Sequence, residues 1–272
     1  MEAYGDFASV YDTFMDETPY EDWCQFVEEV ITEYGISKPG EKDAEVLSSE
    51  RNLVLDLGCG TGTLTEMLSA KGYDMVGIDL SQEMLAIAME KKAKAESGTL
   101  YLCQDMREFE LYSTVGTVIS VCDSVNYLLE EEDILQTFKL VNNYLYPGGI
   151  FLFDFNTVYK YEQVIGDTTI AENREDCSFI WENFYDPEEQ LNEYDLTIFV
   201  KDGDEDEENP NFKRFQETHV QRGYTLEQMT RLIKEAGLKV EFTMDADTHG
   251  DVTEESERIY ILAREVQKNE RK

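Results

Sequence analysis

The sequence predicts an α/β fold: a seven-stranded, mostly parallel sheet with an N-terminal helical cap and an antiparallel β insertion. Three observations predict it. Short apolar runs alternate with helical segments over residues 52–155, as in a parallel sheet covered by helices on both faces. Residues 6–35 carry apolar side chains at helical spacing, and residues 179–221 alternate as antiparallel strands do. The predicted boundaries are 1–37 for the cap, 38–160 for the core, 161–221 for the insertion, and 222–272 for a final helix and strands.

The cap is predicted as helix over residues 6–35. Its apolar positions recur at helical spacing, from Phe7 and Val10 through to Ile31. Gly35 is expected to end it, because glycine is common just past the last helical turn. The polar stretch Ser37–Arg51 then reads as a connector to the core.

The core is predicted as five strands with intervening helices, which implies a sheet buried on both faces. In chain order the predicted elements are the strand Asn52–Leu57, the helix Leu64–Ala70, the strand Met75–Ile78, the helix Glu83–Ala93, the strands Thr99–Cys103 and Val115–Cys122, the helix Glu131–Asn143 and the strand Gly149–Phe155.

The alternation of short strands and helices ends after Phe155. Three antiparallel strands are predicted, at Phe179–Tyr185, Tyr194–Val200 and Phe215–Gln221, with the acidic tract Asp202–Glu208 as a hairpin tip. A helix then starts with Thr225 as N-cap and Gln228 three residues on, which is a capping box, and Leu238–Met244 and Arg258–Arg264 are the last two strands. Because the insertion follows the fifth strand, we expect it over the carboxyl edge of the sheet, where open α/β sheets bind ligands.

Charge limits the classes of partner. The 272 residues carry 59 acidic and 23 basic side chains, a net charge of −36, while 42% apolar residues supply a folded core. Such a surface repels nucleic-acid phosphates and anionic lipid, and no apolar run approaches the roughly 20 residues that span a bilayer. We therefore expect no nucleic-acid partner and no membrane partner.

The acidic excess is uneven. Residues 1–37 carry −10 and residues 161–221 carry −14, together two thirds of the net charge. A charge run is most often a solvated surface. The alternative is that these acids line a cavity and concentrate cations in it.

The five cysteines are scattered and show no C-x-x-C spacing. An odd number without such spacing predicts neither a disulfide framework nor a zinc site, and no other His, Cys and carboxylate spacing suggests a metal. Together with an N-terminus that has no basic and apolar signal pattern, this predicts a cytoplasmic protein.

A glycine loop follows the first predicted strand. Gly58, Gly60 and Gly62 alternate at the start of a helix, and Asp56 precedes them by two residues. Glycine allows positive φ and lets a ligand approach the backbone. The dinucleotide fingerprint G-x-G-x-x-G places its last glycine five positions after the first, whereas here the interval is four. A carboxylate at Asp56 also suits a cation better than a pyrophosphate.

With this loop the sequence resembles the class I S-adenosylmethionine (SAM)-dependent methyltransferases, in a small-molecule, bacterial branch with a β insertion. The match continues through Val76–Ser81, Gln104–Met106 and Leu145–Gly149. The resemblance implies a Rossmann-like core with SAM as cofactor, in which Asp79 grips the ribose hydroxyls and Asp105 accepts from the adenine amino group. The cofactor contacts it suggests are Tyr4, Tyr11, Asp56, Gly58, Cys59, Gly60, Gly62, Asp79, Leu80, Met84, Asp105, Met106 and Cys122.

Alternatives remain for several of these residues. Met84 and Met106 could be ordinary core, and the N-terminal tyrosines Tyr4 and Tyr11 could pack in the core rather than close over the cofactor. Cys59 is interpreted as a small filler rather than a nucleophile.

Three residues are candidates for catalysis. Asp123 and Asn126 follow the fourth strand, where this family presents the substrate, and could orient it or accept a proton; a polar strand end is the alternative. His219 shares a strand face with Glu217 and Gln221 and could be a general base, or an ordinary surface histidine. His249, the other histidine, is given no role.

The resemblance implies transfer of the SAM methyl group to a nucleophilic N or O of a small molecule by in-line displacement. If the acidic cap and insertion line the site, the substrate is cationic or neutral, with an amine as the first choice. Alternatives are a catalytically silent SAM-binding sensor or assembly protein, an aminopropyltransferase and, with the wrong glycine spacing, an NAD-dependent oxidoreductase. A homodimer through the insertion stays open.

Overall fold

The protein is described from a computed structural model over residues 7–40, 50–202 and 211–268. Its strands are β1 Leu53–Leu57, β2 Asp74–Asp79, β3 Leu100–Cys103, β4 Val115–Ser120, β5 Leu145–Asn156, β6 Thr169–Asn173, β7 Cys177–Asp186, β8 Leu191–Lys201, β9 Phe212–Arg222, β10 Leu238–Asp245 and β11 Arg258–Glu265. Its helices are α1 Ala8–Phe14, α2 Tyr20–Tyr34, α3 Thr63–Ala70, α4 Gln82–Ala95, α5 Glu131–Tyr144 and α6 Leu226–Glu235. None of these helices is long and apolar enough to cross a membrane.

Seven strands form the main sheet in the order β10-β11-β5-β4-β1-β2-β3. All neighbours are parallel except β11, which runs antiparallel to both β5 and β10. The chain leaves β1 towards β2 and β3 on one side, and returns at β4 on the other. The sheet is therefore doubly wound, with its switch point between β1 and β4, and ligands bind at the carboxyl ends of such strands. This is the Rossmann-like α/β fold that the sequence predicted.

Both faces of the main sheet are buried. On β5, Phe151, Phe153 and Phe155 pack into one hydrophobic cluster with α5, whereas Ile150 and Leu152 pack into another with α2. A strand covered on both faces reads as a continuous apolar run rather than an alternating one, which is why the core was recognisable in the sequence.

The predicted single helix over 6–35 is wrong: the cap consists of α1 and α2 with a break between them. Pro19 is the N-cap residue of α2. Proline has no N–H to donate and disfavours helical geometry in the residue before it, so the chain turns here instead of continuing α1.

A second sheet of four antiparallel strands, β6-β7-β8-β9, lies within the stretch predicted as an insertion. Three strands were predicted there; β6 was missed. Its residues Thr169–Asn173 are mostly exposed, and a short polar edge strand gives no apolar alternation to detect. The predicted hairpin tip at Asp202–Glu208 lies outside the described residues, apart from Asp202.

The inner face of this insertion sheet covers α1. Val10 packs with Cys177, Leu196 and Ile198, and Phe14 meets Phe179 edge-on at 4.8 Å between ring centroids. The outer face of the sheet carries exposed acids. The chain thus places α1 between the insertion sheet and the carboxyl edge of the main sheet.

Candidate functional site

A cavity of about 480 Å³ opens at the carboxyl ends of β1, β2 and β4, a size typical of small-molecule sites. For description we divide its lining by the elements that carry it: the residues of β1, β2 and β3 and of the segments after them are called the cofactor half, and those of the cap and of the turn after β4 are called the acceptor half. The cofactor half is lined by Asp56, Gly58, Cys59, Gly60, Asp79, Leu80, Met84, Gln104, Asp105, Met106 and Arg107. The acceptor half is lined by Tyr11, Tyr20, Trp23, Cys122 and Tyr127.

The glycine loop builds the floor of the cofactor half. Gly58, Gly60 and Gly62 all have positive φ, between 53° and 81°, which glycine adopts without steric cost. A Cβ on Gly60 would meet nothing within 4 Å, so the backbone faces the cavity. Gly62 does not line the cavity: a Cβ there would lie 2.4 Å from the Tyr101 hydroxyl, so this glycine permits close packing beneath the loop.

Asp79 lies between two loops at the end of β2. Its Oδ2 accepts from the Gly60 backbone N–H and its Oδ1 from the Ser81 backbone N–H, both at 2.8 Å. A carboxylate oxygen can accept more than one hydrogen bond. Asp79 can therefore hold the glycine loop and still accept from a hydroxyl pair in the cavity, as the resemblance implies.

Asp56 is the most buried acid in the cavity wall, at 4% exposure. Burial raises the pKa of its carboxyl to about 7, the bond from the Thr65 hydroxyl at 2.6 Å lowers it, and the charge of Asp79 adds to the rise. Within the described residues no basic side chain pairs with this carboxylate, so a cation in the cavity would favour its ionised form.

The Asp105 carboxylate already accepts hydrogen bonds from a neighbouring residue. Arg107 donates to it from its backbone N–H at 2.8 Å and from its guanidinium at 2.6–3.1 Å, and this arginine lowers the pKa of the Asp105 carboxyl. The adenine amino group would be a further donor to an oxygen pair that already accepts four such bonds. The adenine role of Asp105 stays a prediction, with Arg107 as its competitor.

Apolar side chains complete this half. Met84 is 2% exposed at the start of α4, where Ser81 caps the helix by accepting from the Met84 N–H. Met106 lines the opposite side, and Leu80 is 66% exposed at the rim. An exposed leucine at a cavity rim leaves apolar surface for a flat ligand to cover.

Neither cavity cysteine is a ready nucleophile. Burial raises the pKa of the Cys59 and Cys122 thiols well above their ordinary value. Because the thiolate is the reactive form, both behave as small apolar fillers, consistent with the interpretation of Cys59. Among the described ranges, no group of three His, Cys or carboxylate side chains could hold a metal.

These features fit the cofactor that the resemblance implies. An open backbone at Gly60, a hydroxyl acceptor at Asp79 and a buried carboxylate at Asp56 match a ligand with a ribose and a positive charge. Tyr11 lines the cavity beside the loop. Tyr4, predicted with it, lies outside the described residues.

The acceptor half is aromatic. Tyr11 belongs to α1, Tyr20 and Trp23 begin α2, and Tyr127 ends a 3-10 turn after β4. Arg258 stacks on the Trp23 ring, with its guanidinium carbon 4.9 Å from the centroid, and its charge faces the buried Asp154 with Nε 3.4 Å from Oδ2. The positive charge of Arg258 next to the Trp23 ring is thus compensated by Asp154.

Asn126 was predicted as a substrate-contacting residue, and the structure places it elsewhere. It is fully buried and does not line the cavity. Its Nδ2 donates to the carbonyls of Asn156 and Arg222, and its Oδ1 accepts from the Asn156 N–H. With both its donor and its acceptor groups engaged, Asn126 joins β4, β5 and β9 and positions the turn that carries Tyr127.

Asp123 also lies outside the cavity lining. Cys122 and Asp123 have φ of 69° and 52°, which is rare for residues other than glycine and typical of functional turns. Asp123 donates its backbone N–H to Asp154, and its carboxylate accepts from Gln221 Nε2 at 2.7 Å. Asp123 therefore anchors the turn after β4, whereas its predicted contact with substrate has no support in this geometry.

His219 does not line the cavity itself but contacts Tyr127, which does. It is 2% exposed, shares the inner face of β9 with Glu217 and Gln221, and its Nδ1 is 3.2 Å from the Tyr127 hydroxyl. The alternative of an ordinary surface histidine is wrong, because the insertion sheet buries it.

None of the described insertion residues lines the cavity. On β8, Glu193 and Asp195 are exposed on the outer face, whereas Tyr194 and Leu196 are buried on the inner face. Of the two readings left open by the sequence, a solvated surface therefore holds for these acids of β8, and the alternative that they line the cavity does not. The cavity's own acids are Asp56, Asp79, Glu83 and Asp105.

Sequence reasoning assigned no role to four residues that line the cavity: Tyr20, Trp23, Tyr127 and Arg107. Arg107 had a detectable signal, because a basic residue so near Asp105 in the chain can pair with it across a turn. The aromatic residues did not, because Tyr20 and Trp23 share the spacing of core residues on the same helix.

Comparisons with known proteins agree with this geometry. A family model described as a methyltransferase domain matches residues 54–149. YqeM of Bacillus subtilis, which carries a methyltransferase name without a stated substrate, is 35% identical over 261 residues, covering 96% of each chain. A crystal structure of an S-adenosylmethionine-dependent methyltransferase from Clostridium acetobutylicum superposes with a TM-score of 0.80 at 30% identity, covering 97% of this chain and all of that one.

A shorter match concerns a protein with a stated substrate. An enzyme of Streptomyces venezuelae, named dTDP-3-amino-3,4,6-trideoxy-alpha-D-glucopyranose N,N-dimethyltransferase, is 35% identical over 101 residues, which is 37% of this chain and 41% of that one.

Proposed function

The chain belongs to the S-adenosylmethionine-dependent methyltransferases, and from that premise we propose that it methylates the nitrogen of a small, neutral or cationic amine. Membership of this family makes the chain an enzyme, so the catalytically silent binder is set aside. What the proposal adds is the class of nucleophile and of substrate. The observation that carries it is the composition of the acceptor half.

SAM supplies a methyl group already activated by its positive sulfur, so the protein mainly binds, orients and excludes water. We assign the Asp79 carboxylate to the ribose hydroxyls, the Gly60 backbone to close approach, and the Asp56 carboxylate to the positive end of the cofactor. Met84 and Met106 would supply the apolar surface for the adenine ring.

The acceptor half favours an amine for two reasons. Aromatic faces at Tyr11, Tyr20 and Trp23 attract cations and amines. The lining of the whole cavity holds four acids against one base, Arg107, and that base is paired with Asp105. A phosphate or carboxylate next to the methyl group would therefore meet no compensating charge.

The Streptomyces venezuelae relative lends support, since its name states methylation of a nitrogen. It matches over 101 residues only, so its sugar nucleotide is not carried over to this chain.

The test is a panel of small acceptors incubated with SAM, read as S-adenosylhomocysteine formed and as mass gain of the acceptor. The panel pairs each primary or secondary amine with the alcohol of the same skeleton, and includes sugar amines, polyamines, carboxylates and an oligonucleotide. We expect turnover with amines and a methyl group on nitrogen. Turnover confined to alcohols or anions would overturn the proposal.

A variant locates the acceptor. Trp23→Leu removes one aromatic face and is expected to raise the KM for the amine about tenfold, in line with a cation–π contact, with a smaller effect on SAM affinity by calorimetry. The control is Tyr112→Leu, since this tyrosine is fully exposed and does not line the cavity. Equal effects of the two variants would remove Trp23 from the acceptor site.

A further inference from the structure

We propose that Tyr127 takes a proton from the acceptor nitrogen and passes it to His219, with Glu217 positioning the imidazole. This inference rests on the proposed function, because it concerns the nitrogen that receives the methyl group. It makes Tyr127 the catalytic residue and His219 and Glu217 positioning residues that act through it.

The first step of the argument is where Tyr127 lies. Its ring lines the cavity, and its hydroxyl is 3.2 Å from His219 Nδ1 and 2.9 Å from the Tyr194 hydroxyl. The turn that carries it starts with two residues in left-handed geometry, Cys122 and Asp123. Strained turns of this kind persist where the surroundings fix them, and here Asn126 supplies three hydrogen bonds.

The second step is the orientation of the imidazole. The His219 ring stacks on Tyr194 with centroids 4.9 Å apart and planes 11° apart. Its Nε2 lies 3.3 Å from Glu217 Oε2, and Glu217 Oε1 accepts from the Phe7 backbone N–H at 2.9 Å. The two atoms are not aligned as a hydrogen bond, but the negative charge of a carboxylate this close to Nε2 favours a proton on that nitrogen. Nδ1 then carries the lone pair and accepts from the Tyr127 hydroxyl.

The third step is the accounting of bonds. As the acceptor nitrogen bonds to the methyl carbon, the carbon–sulfur bond breaks and its electron pair stays on sulfur. The nitrogen becomes positive, and an N–H bond breaks with its electron pair kept on nitrogen. That proton goes to the Tyr127 oxygen, while the proton of Tyr127 moves to His219 Nδ1. The end state is a neutral methylated amine, a neutral tyrosine and an imidazolium beside a carboxylate.

The surroundings suit this end state. Among the residues that the structure describes, the titratable side chains in contact with His219 include Tyr127 from the 3-10 turn, Tyr194 from β8 and Glu217 from β9. Glu217 is an acid, and an imidazolium formed next to it makes a buried ion pair instead of an isolated charge. The relay requires an N–H on the acceptor, so its substrates are primary and secondary amines.

The first test needs no substrate. Nitrogen-15 long-range NMR of the full chain, with and without SAM, reports which imidazole nitrogen is protonated. We expect a protonated Nε2 and an unprotonated Nδ1 on His219, and a shift of the Nδ1 signal in Tyr127→Phe. His249→Asn assigns the spectrum, because the chain has two histidines. A proton on Nδ1 would overturn the relay, since that nitrogen could not then receive one.

The second test is a double-mutant cycle with the best amine of the acceptor panel. General-base catalysis contributes at least about 100-fold, so Tyr127→Phe and His219→Asn should each lower kcat about 100-fold. Because the two act in series, the double variant should lose about the same 100-fold. Tyr112→Phe and His249→Asn are the controls. Losses that multiply, or kcat values within threefold of wild type, would contradict the relay.

The two proposals fail differently. If no amine is methylated by the wild-type enzyme, the proposed function is wrong, whatever the NMR spectrum shows. If amines are methylated but the variants behave as wild type, the function stands and the relay does not.

Discussion

The cofactor half and the acceptor half of the cavity are held together over different distances in the chain. In the cofactor half, the bond from Gly60 N to Asp79 Oδ2 joins residues 19 apart. In the acceptor half, the bond between Tyr127 and His219 joins residues 92 apart. A local arrangement can be written as a short motif, whereas a distant one depends on how the insertion docks. The cofactor half is therefore a property of the motif, and the acceptor half a property of the fold.

The two halves also differ in where their charge lies. The cofactor half brings Asp56 and Asp79 into the cavity wall, although burial opposes their ionisation. The acceptor half is covered by the most acidic segment of the chain, yet its acids on β8 point away from the cavity. Net charge per segment thus says little about the charge that a ligand meets, because a strand sends alternate residues to opposite faces.

The largest expected effect is a loss of stability when Asn126, which supports the turn of the acceptor half, is replaced. Asn126→Ala removes three hydrogen bonds and leaves buried backbone groups of Asn156 and Arg222 without them. We expect the free energy of unfolding to fall by about 3 kcal/mol, measured by urea denaturation. The control is Asn143→Ala, an exposed position on α5. If Asn126→Ala lowers the free energy of unfolding by less than about 1 kcal/mol more than Asn143→Ala does, the bonds of Asn126 do not stabilise this part of the fold.

Asp79 tests the cofactor half. Asp79→Asn removes the charge from two backbone hydrogen bonds and from the ribose contact, and charged hydrogen bonds each contribute about 1.5–3 kcal/mol. We expect SAM affinity to fall about 100-fold by calorimetry, with unfolding much less affected. Asp74→Asn, an exposed position on the same strand, is the matched control. An unchanged affinity would remove Asp79 from the ribose site.

Asp56 gives the cofactor half a pH dependence. Its folded pKa of about 7 lies above the ordinary value near 4, so between these pH values the folded, ligand-free protein holds a proton that the unfolded chain has lost. Its contribution to stability is present at low pH and is lost as pH rises towards 7. A cation favours the ionised form, so SAM binding should release a proton below pH 7.

The measurement is calorimetry at pH 6, 7 and 8 in buffers of different ionisation enthalpy. Affinity is expected to weaken up to about tenfold between pH 7 and pH 6. Asp56→Asn should bind SAM weakly, and its affinity should no longer change between pH 7 and pH 6. A wild-type affinity that stays flat, with no proton release, would mean that Asp56 does not face the cofactor's charge.

The smallest effect is expected from the exterior of the acceptor half. Glu182→Gln with Glu193→Gln removes two exposed charges from the outer face of the insertion sheet. Exposed charges beyond about 10 Å are largely screened at 0.1 M salt, so kcat/KM for the amine should change less than twofold. A loss of kcat/KM above fivefold at that salt concentration would show that the acids of the insertion influence substrate choice.

Sequence reasoning reached furthest where the chain is locally determined. The strands around β5 were recognisable because burial on both faces leaves an apolar run, and the loop at Gly58–Gly62 because its backbone needs positive φ. It missed β6, a polar edge strand. The predicted substrate contact of Asn126 has no support in this geometry, because asparagine suits catalysis and internal bonding equally and here its groups bond internally. Alternation puts His219 on one face with Glu217 and Gln221 but leaves open whether that face points inward, and its bond to Tyr127 depends on the docking of β9 beside the turn after β4.

The position of α1 has a consequence for the order of events in a catalytic cycle. Asp12 of α1 accepts from the Thr61 hydroxyl of the glycine loop at 2.7 Å and pairs with Lys91, while Phe14 packs on the insertion sheet. A movement of α1 that frees the glycine loop must also disturb the wall over the acceptor. We therefore expect that an acceptor-side ligand that holds α1 in place also slows exchange of the donor.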